Sequence, residues 1–186
     1  MTRQHRKIPP HFNPLFGKAA IEERIRALAE AISPWAQEAI EVHNEQVLAL
    51  CILRGGIFFF SDLLKHIPHP VEPAFCHCTS YSSEANLSPK ASVTIDFVSA
   101  KFTGRRVLLV DDICDTGRTL HAVKEHCMAS DAHEVKSVVT VLREVENPQF
   151  TPDWHAFTYA GKEWLSGYGM EDKNHYSNYP DIYTLS

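Results

Sequence analysis

Apolar residues along this chain occur either in short continuous runs or at helical spacings. The runs at 47–53, 107–110 and 135–142 are typical of strands buried on both faces of a sheet. Two further stretches, 57–67 and 120–128, have a helical pattern. One more helix face is predicted by residues spaced three or four apart: Ile21, Ile25, Leu28, Ala29 and Ile32. Alternating strands and helices predict an α/β fold with a parallel central sheet flanked by helices.

The remaining segments have weaker patterns. Pro34 is expected to interrupt or restart the first helix, with a second helix running to about His43. Residues 1–17 are rich in Pro, His and Phe and predict an irregular arm, whereas 80–92 is small and polar and predicts a mobile loop. Short strands are predicted at 73–79, 93–98 and 156–160.

Composition narrows the class of protein. A chain of 186 residues with 44% hydrophobic residues can form one domain with a sizeable core. A formal net charge of −5 argues against a protein that binds nucleic acid over its whole surface. The five cysteines are odd in number and most lie in apolar stretches, which indicates free thiols in the cytoplasm. No stretch has the length of a membrane span or the apolar core of a signal peptide, so no membrane partner is expected.

The most informative segment is VLLVDDICDTGRTL at 107–120. An apolar strand ends in Asp111 and Asp112, and a loop beginning at Asp115 leads into a helix. Such a loop offers backbone N–H groups, hydroxyls and a helix N-terminus to a phosphate. The acidic pair suits sugar hydroxyls or a magnesium ion at the same ligand. The segment therefore predicts a sugar-phosphate site.

Other polar residues are expected at the same edge of the sheet. Arg54-Gly55-Gly56 and Arg143 each follow a predicted strand, as the acidic pair does. Ligands of parallel α/β sheets bind beyond the carboxyl ends of the strands. These segments, distant in sequence, should therefore converge on one site.

On these motifs the chain resembles the type I phosphoribosyltransferases, and more narrowly the hypoxanthine (hypoxanthine-guanine) enzymes. The segment LRGG at 53–56 is similar to the family's pyrophosphate loop, Ser80-Tyr81 to the start of its flexible loop, and GYGME at 167–171 to its C-terminal segment. The resemblance implies a single domain over 1–186, with a core at about 35–150 and a small hood lobe from about 1–20 and 151–186.

The resemblance also implies roles for individual residues. Asp115 would accept or relay a proton at the purine, although Asp is also a common helix N-cap. Arg54 and Gly55 would bind pyrophosphate, and Glu171, with Asp111 and Asp112, would meet magnesium. The 5′-phosphate and the ribose of phosphoribosyl pyrophosphate (PRPP) would be bound by the main motif: Asp111, Asp112, Asp115, Thr116, Gly117, Arg118 and Thr119.

The purine would be bound by residues near the end of the chain. Counting from Asp115 without gaps places Arg143 where the family usually has Lys, and a donor there favours a 6-oxopurine over a 6-aminopurine. Trp164 would stack on the base and Leu165 would contact its edge through the backbone. The alternatives are a surface charge for Arg143 and a core side chain for Trp164.

Three features depart from the family pattern or test it. Ser177 stands where the family usually has an Arg for pyrophosphate, and Lys173 or Arg54 would then have to supply the charge. Glu171 is one methylene longer than the usual Asp. The family often has a cis peptide at the first bond of the pyrophosphate loop, here Arg54–Gly55.

The resemblance implies a magnesium-dependent purine-salvage enzyme. It would transfer the phosphoribosyl group of PRPP to hypoxanthine, and also guanine, giving the nucleoside monophosphate and pyrophosphate. Assembly as a homodimer or homotetramer is implied. A xanthine preference stays open, and the same fold also occurs in RNA-binding regulators of pyrimidine genes. The negative charge and the lack of a basic helix argue against that second alternative.

Overall fold

The computed structural model describes residues 7–80, 93–98 and 100–186. Three helices and nine strands lie in these ranges, none of the helices long and apolar enough to cross a membrane. In chain order they are β1 (Phe12–Phe16), α1 (Lys18–His43), β2 (Val47–Leu53), α2 (Ile57–His66), β3 (Val71–Ser80), β4 (Val93–Val98), β5 (Arg106–Cys114), α3 (Arg118–Ala129), β6 (Glu134–Arg143), β7 (Trp154–Tyr159), β8 (Trp164–Ser166) and β9 (Ile182–Leu185).

The central sheet has six strands in the order β4-β3-β2-β5-β6-β7. All neighbouring pairs are parallel except β3 and β4, so the predicted α/β class is confirmed. The apolar run of β5 is buried on both faces, as its sequence predicted. Leu108 and Val110 pack on the side of α1 and α2, whereas Val107 and Leu109 pack on the side of α3.

Two predicted boundaries were wrong. The helix α1 continues through Pro34, which is exposed, so that the carbonyl left without an N–H partner can be hydrated by water. The strand β5 continues to Cys114 instead of ending at residue 110, because Ile113 and Cys114 still pair with β6. Asp111 and Asp112 therefore lie within the strand and not at its end.

A second, three-stranded antiparallel sheet joins the two ends of the chain in the order β1-β9-β8. The sequence patterns do not predict these three short strands, and they predict an irregular arm where β1 lies. The small sheet lies in the segments assigned to the hood. The strand β7, however, pairs with β6, so the central sheet extends to residue 159 and past the expected boundary near 150. The division into core and hood otherwise stays a prediction.

A carboxylate from the far end of the chain caps α1. The residue before the helix is Gly17, which has no side chain to accept from the first turn. Oδ1 of Asp181 instead accepts from the backbone N–H of Lys18 at 2.7 Å, and Oδ2 accepts from the Tyr183 hydroxyl at 3.2 Å. A negative charge at a helix N-terminus is stabilising, so this contact fastens the small sheet to the central domain.

Replacing Asp181 with Ala should lower the free energy of unfolding by about 1 kcal/mol, since a capping hydrogen bond and a favourable charge are both lost. Asp181→Asn keeps an acceptor and should lose less. Urea denaturation of the two variants and the parent chain measures the difference. Equal stability of all three would show that the contact contributes nothing.

Candidate active site

The carboxyl ends of β2, β5 and β6 meet at one edge of the central sheet, where a cavity of about 330 Å³ opens. The expected convergence is therefore present. The cavity brings together residues from the central sheet and its loops and from the C-terminal segment: Arg54, Gly55, His77, Cys78, Asp112, Ile113, Asp115, Arg143, Trp164, Leu165, Gly169, Met170 and Glu171.

A second cavity of about 330 Å³ adjoins the first and contains the loop before α3. Gly117 occupies the left-handed region with φ of 79°, and a side chain there would collide with the backbone of Phe150. The loop is held by Gln149, whose N–H donates to the carbonyl of Thr116 at 2.8 Å. Because α3 begins at Arg118, its first N–H groups face this cavity and suit an anion.

Of the two adjacent aspartates, Asp112 lines both cavities and Asp111 lines the second. Oδ1 of Asp111 accepts from the N–H of Asp112 at 2.9 Å, and Oδ1 of Asp112 accepts from the N–H of Ile113 at 2.8 Å. Burial raises the pKa of both carboxyls, that of Asp111 well above its usual range, with the charge of its neighbour adding to the shift. Each therefore carries its negative charge at a cost that a hydroxyl or cation ligand would offset.

Gly55 is the point at which three segments touch. A Cβ atom on Gly55 would overlap the carboxylate of Asp112, and a Cβ atom on Gly169 would overlap the carbonyl oxygen of Gly55. Gly169 itself has φ of 104°, a conformation that side chains rarely adopt. The loop after β2 thus lies against the acidic pair on one side and against the C-terminal segment on the other.

The cis peptide of this loop is Leu53–Arg54 and not Arg54–Gly55 as expected. The strand β2 ends at Leu53, so the first peptide of the turn comes one residue earlier than the motif suggested.

Arg54 reaches across to the C-terminal segment. Its Nη2 donates to Oε1 of Glu171 at 2.7 Å and to Oδ1 of Asn174 at 2.8 Å. Ser177 contacts the C-terminal segment through its backbone, because its carbonyl accepts from the N–H of Gly169 at 2.8 Å. Arg54 lines the first cavity and Lys173 does not, which favours Arg54 as the replacement for the missing arginine.

Arg143 and Asp115 form a second ion pair that lines the cavity. Nε of Arg143 donates to Oδ1 of Asp115 at 2.5 Å, and the Arg143 side chain is only 14% exposed, which excludes a mere surface charge. The N-cap of α3 is Gly117 with no side-chain capping bond, so the alternative role of Asp115 as a helix cap is wrong.

Trp164 lies at the mouth of the first cavity. Its side chain is 62% exposed, so the alternative of a core residue is wrong. The indole Nε1 donates to the carbonyl of Glu171 at 3.0 Å, which fixes the ring while leaving it accessible for stacking. Leu165 follows in β8 and is buried.

The carboxylates present fit a magnesium ion that binds together with a substrate. Asp112 and Glu171 line the same cavity, and Mg²⁺ usually takes one or two carboxylates with substrate phosphate oxygens. Within the described ranges no group of three or more His, Cys, Asp or Glu side chains is arranged to hold a metal by itself. The metal contacts expected for Asp111, Asp112 and Glu171 remain predictions.

Sequence reasoning missed several residues at the site. His77 and Cys78 line the first cavity from the end of β3, and Tyr159 packs beside Arg143. The position of Tyr159 follows from the pairing register of β6 and β7, which the sequence does not encode locally. Ser80 is the last residue of β3, whereas Tyr81 and the rest of the expected flexible loop lie outside the described residues.

The sequence is similar to that of a known protein family. Residues 21–172 match the family model described as phosphoribosyl transferase domain. The chain is 32% identical to the hypoxanthine-guanine phosphoribosyltransferase of Lactococcus lactis, over 92% of this chain and 89% of that protein. It is 27% identical to the hypoxanthine-guanine-xanthine phosphoribosyltransferase of Tritrichomonas foetus, over 90% and 88%.

Solved structures agree with the sequence comparison. The crystal structure of a hypoxanthine-guanine phosphoribosyltransferase from Bacillus anthracis superimposes with a TM-score of 0.78 at 25% identity. The match covers 94% of this chain and 98% of that one. The fold and the order of its elements are therefore shared over nearly the whole chain.

Asp111→Asn should stabilise the folded chain at neutral and higher pH by about 1–3 kcal/mol, because the buried charge is removed while Oδ1 can still accept from Asp112. The folded pKa of Asp111 is raised, so the parent chain loses stability as pH rises from the ordinary value of 3.8 through that folded pKa. The gap between variant and parent should therefore be largest above the folded pKa and should close toward acid pH.

Thermal unfolding of both proteins between about pH 4 and pH 8 measures this gap. Glu30→Gln, which alters an exposed carboxylate on α1, is the matched control and should show no comparable gain. A variant that is less stable than the parent at pH 8, or a gap that does not change with pH, would contradict the stated cost of burial.

Proposed function

Because the chain belongs to the phosphoribosyltransferase family, among the hypoxanthine-guanine enzymes, we propose that it transfers the 5-phosphoribosyl group of PRPP to a 6-oxopurine. The products would be the nucleoside monophosphate of hypoxanthine or guanine and pyrophosphate. In this reaction the bond from ribose C1 to the pyrophosphate oxygen breaks, a bond from C1 to a purine nitrogen forms, and the purine gives up the proton on that nitrogen.

The observation that carries the proposal is the arrangement of the two adjoining cavities. One contains the residues assigned to the purine, Arg143 and Trp164, together with Arg54, which is assigned to the leaving group. The second contains the loop assigned to the 5′-phosphate. Asp112 and Asp115 line both cavities, which is where the ribose must lie if it is joined to all three groups.

Asp115 is the group we assign to the purine proton. Arg143 donates to its Oδ1, and we assign Oδ2 as the proton acceptor. A carboxylate within hydrogen-bond reach of the reacting nitrogen can act as general base. The ion pair with Arg143 would orient the carboxylate before the purine enters.

The 5′-phosphate would be bound by the segment from Asp115 to Thr119. Its backbone N–H groups and the two threonine hydroxyls are donors, and the N-terminus of α3 adds a favourable dipole. The left-handed conformation of Gly117 lets the loop turn into α3 against the backbone of Phe150, and the loop lines the second cavity.

Pyrophosphate would lie beside Gly55 and Arg54. The ion pair between Arg54 and Glu171 holds the guanidinium in the cavity, where it can supply the charge that Ser177 does not. We propose that Asp111, Asp112 and Glu171 hold magnesium with the substrate oxygens, as the family's use of the metal suggests. When bound, the metal would neutralise charge on the leaving pyrophosphate.

Selectivity for a 6-oxopurine follows from the donors of Arg143. A guanidinium has donors only, so it can bind a carbonyl oxygen but would oppose the N–H groups of an amino purine. Leaving such a group unpaired costs about 1–3 kcal/mol, or roughly 5- to 150-fold in binding. Trp164 would stack on the base, and the backbone at Leu165 would contact its edge.

The same proposal covers the oligomeric state, the cellular compartment and the range of bases. A homodimer or homotetramer is what the family resemblance implies, and five free cysteines support a reducing cytoplasmic setting. Xanthine remains a possible further base, since one relative is named for it. An RNA-binding regulator is not favoured, because the matched relatives are named as transferases and the net charge is −5.

Asp115→Asn should lower kcat by a factor of about 100 or more while changing the Kd for PRPP by less than about threefold, since proton transfer is lost and the phosphate donors remain. Turnover with hypoxanthine and calorimetric binding of PRPP with magnesium measure the two effects. Glu125→Gln, an exposed carboxylate on α3, is the matched control. Unchanged turnover in the Asn variant, or an equal loss in both quantities, would remove the proton role.

A further inference from the structure

The guanidinium of Arg143 packs against the aromatic ring of Tyr159. Arg143 is the last residue of β6, and the parallel register pairs it with Tyr159, the last residue of β7. The two side chains therefore leave the sheet on the same face. Cζ of Arg143 lies 5.3 Å from the centre of the Tyr159 ring, within the range of a cation–π contact.

The ring is itself held by a carboxylate four residues later. The hydroxyl of Tyr159 donates to Oε2 of Glu163 at 2.6 Å. This bond raises the pKa of Tyr159 and lowers that of Glu163, as expected when the phenol stays protonated and the carboxylate stays charged. The two residues span the turn between β7 and β8 and hold its shape.

The same turn supplies acceptors for the guanidinium. Nη1 of Arg143 donates to the carbonyl of Gly161 at 2.5 Å, and Nη2 donates to the carbonyl of Glu163 at 3.3 Å. With Nε bound to Asp115, each of the three nitrogens has one acceptor in the part of the chain that the structure describes. A guanidinium has five N–H groups, so one N–H on each Nη remains for a ligand in the cavity.

We propose that Tyr159 and Glu163 are positioning residues that fix the plane of the Arg143 guanidinium so that its two remaining N–H groups bind the purine. The inference rests on the proposed function and deepens it at the purine side of the cavity. A guanidinium is planar, and its donors are directional, so its orientation decides whether it meets the base edge. An ammonium group has rotating donors and would not need such a support.

A purely structural role is a poorer explanation of the contact. Glu163 is exposed and Tyr159 is only half-buried, and polar contacts at an exposed surface add little to stability. Their shared feature is Arg143, which one contacts through its ring and the other through its backbone. The support therefore acts where the purine is expected to lie.

A double-mutant cycle distinguishes a positioning role of Tyr159 from a purely structural one. Tyr159→Leu is made in the parent chain and in an Arg143→Lys chain, and KM for hypoxanthine, KM for PRPP and kcat are measured in all four proteins. In the parent background KM for hypoxanthine should rise about three- to tenfold, the size expected for a lost cation–π contact and a loosened side chain. KM for PRPP should change less than about twofold, and in the Lys background Tyr159→Leu should have almost no effect.

Two further variants keep the test decisive if Tyr159→Leu folds poorly, which thermal unfolding would reveal. Tyr159→Phe keeps the ring and loses the bond to Glu163, so KM for hypoxanthine should rise about twofold, and Glu163→Ala should have the same effect. Lys162→Ala changes an exposed neighbour in the same turn and should leave both KM values unaltered.

The inference is overturned if Tyr159→Leu raises KM for hypoxanthine by the same factor in the Arg and Lys backgrounds, or raises KM for PRPP as much as KM for hypoxanthine. Failure of the proposed function would give a different experimental result. In that case the parent chain itself would give no PRPP-dependent turnover of any 6-oxopurine, and both proposals would be rejected together.

Discussion

The site depends on one close approach, that of the loop after β2 to the end of β5. Gly55 lies so near the Asp112 carboxylate on one side and Gly169 on the other that no side chain fits at either glycine. The contact follows from the parallel sheet, because neighbouring strands β2 and β5 end at the same edge. It joins the loop assigned to the leaving group, the acidic pair and the C-terminal segment into one wall.

The charged side chains along this wall are arranged so that a bound ligand would complement them. The acidic pair is buried, which raises the pKa of both carboxyls, and two ion pairs line the first cavity. Arg54, assigned to pyrophosphate, pairs with Glu171, and Arg143, assigned to the purine, pairs with Asp115. Each pair keeps a cation oriented in the cavity, as expected of a site in which stability is given up for binding.

Much of this arrangement could be predicted from the sequence because the informative signals are local. Continuous apolar runs located the buried strands, and the order of strand, acidic pair, loop and helix located the loop that lines the second cavity. The predictions that were wrong or absent have physical reasons. Pro34 does not end α1 because it faces water, and the strand β5 runs on because pairing with β6 continues past its apolar residues. The small sheet and the support under Arg143 depend on contacts between distant segments, for which no local pattern exists.

The central claim is that the two cavities bind PRPP and a 6-oxopurine for direct transfer. It is tested most directly by incubating the purified chain with PRPP, magnesium and each of hypoxanthine, guanine, xanthine and adenine, and measuring nucleoside monophosphate and pyrophosphate together. We expect equal amounts of the two products with hypoxanthine and guanine, and turnover with adenine at least roughly tenfold lower because Arg143 offers donors only. Adenine used as well as hypoxanthine, or no nucleotide formed from any base, would contradict the account.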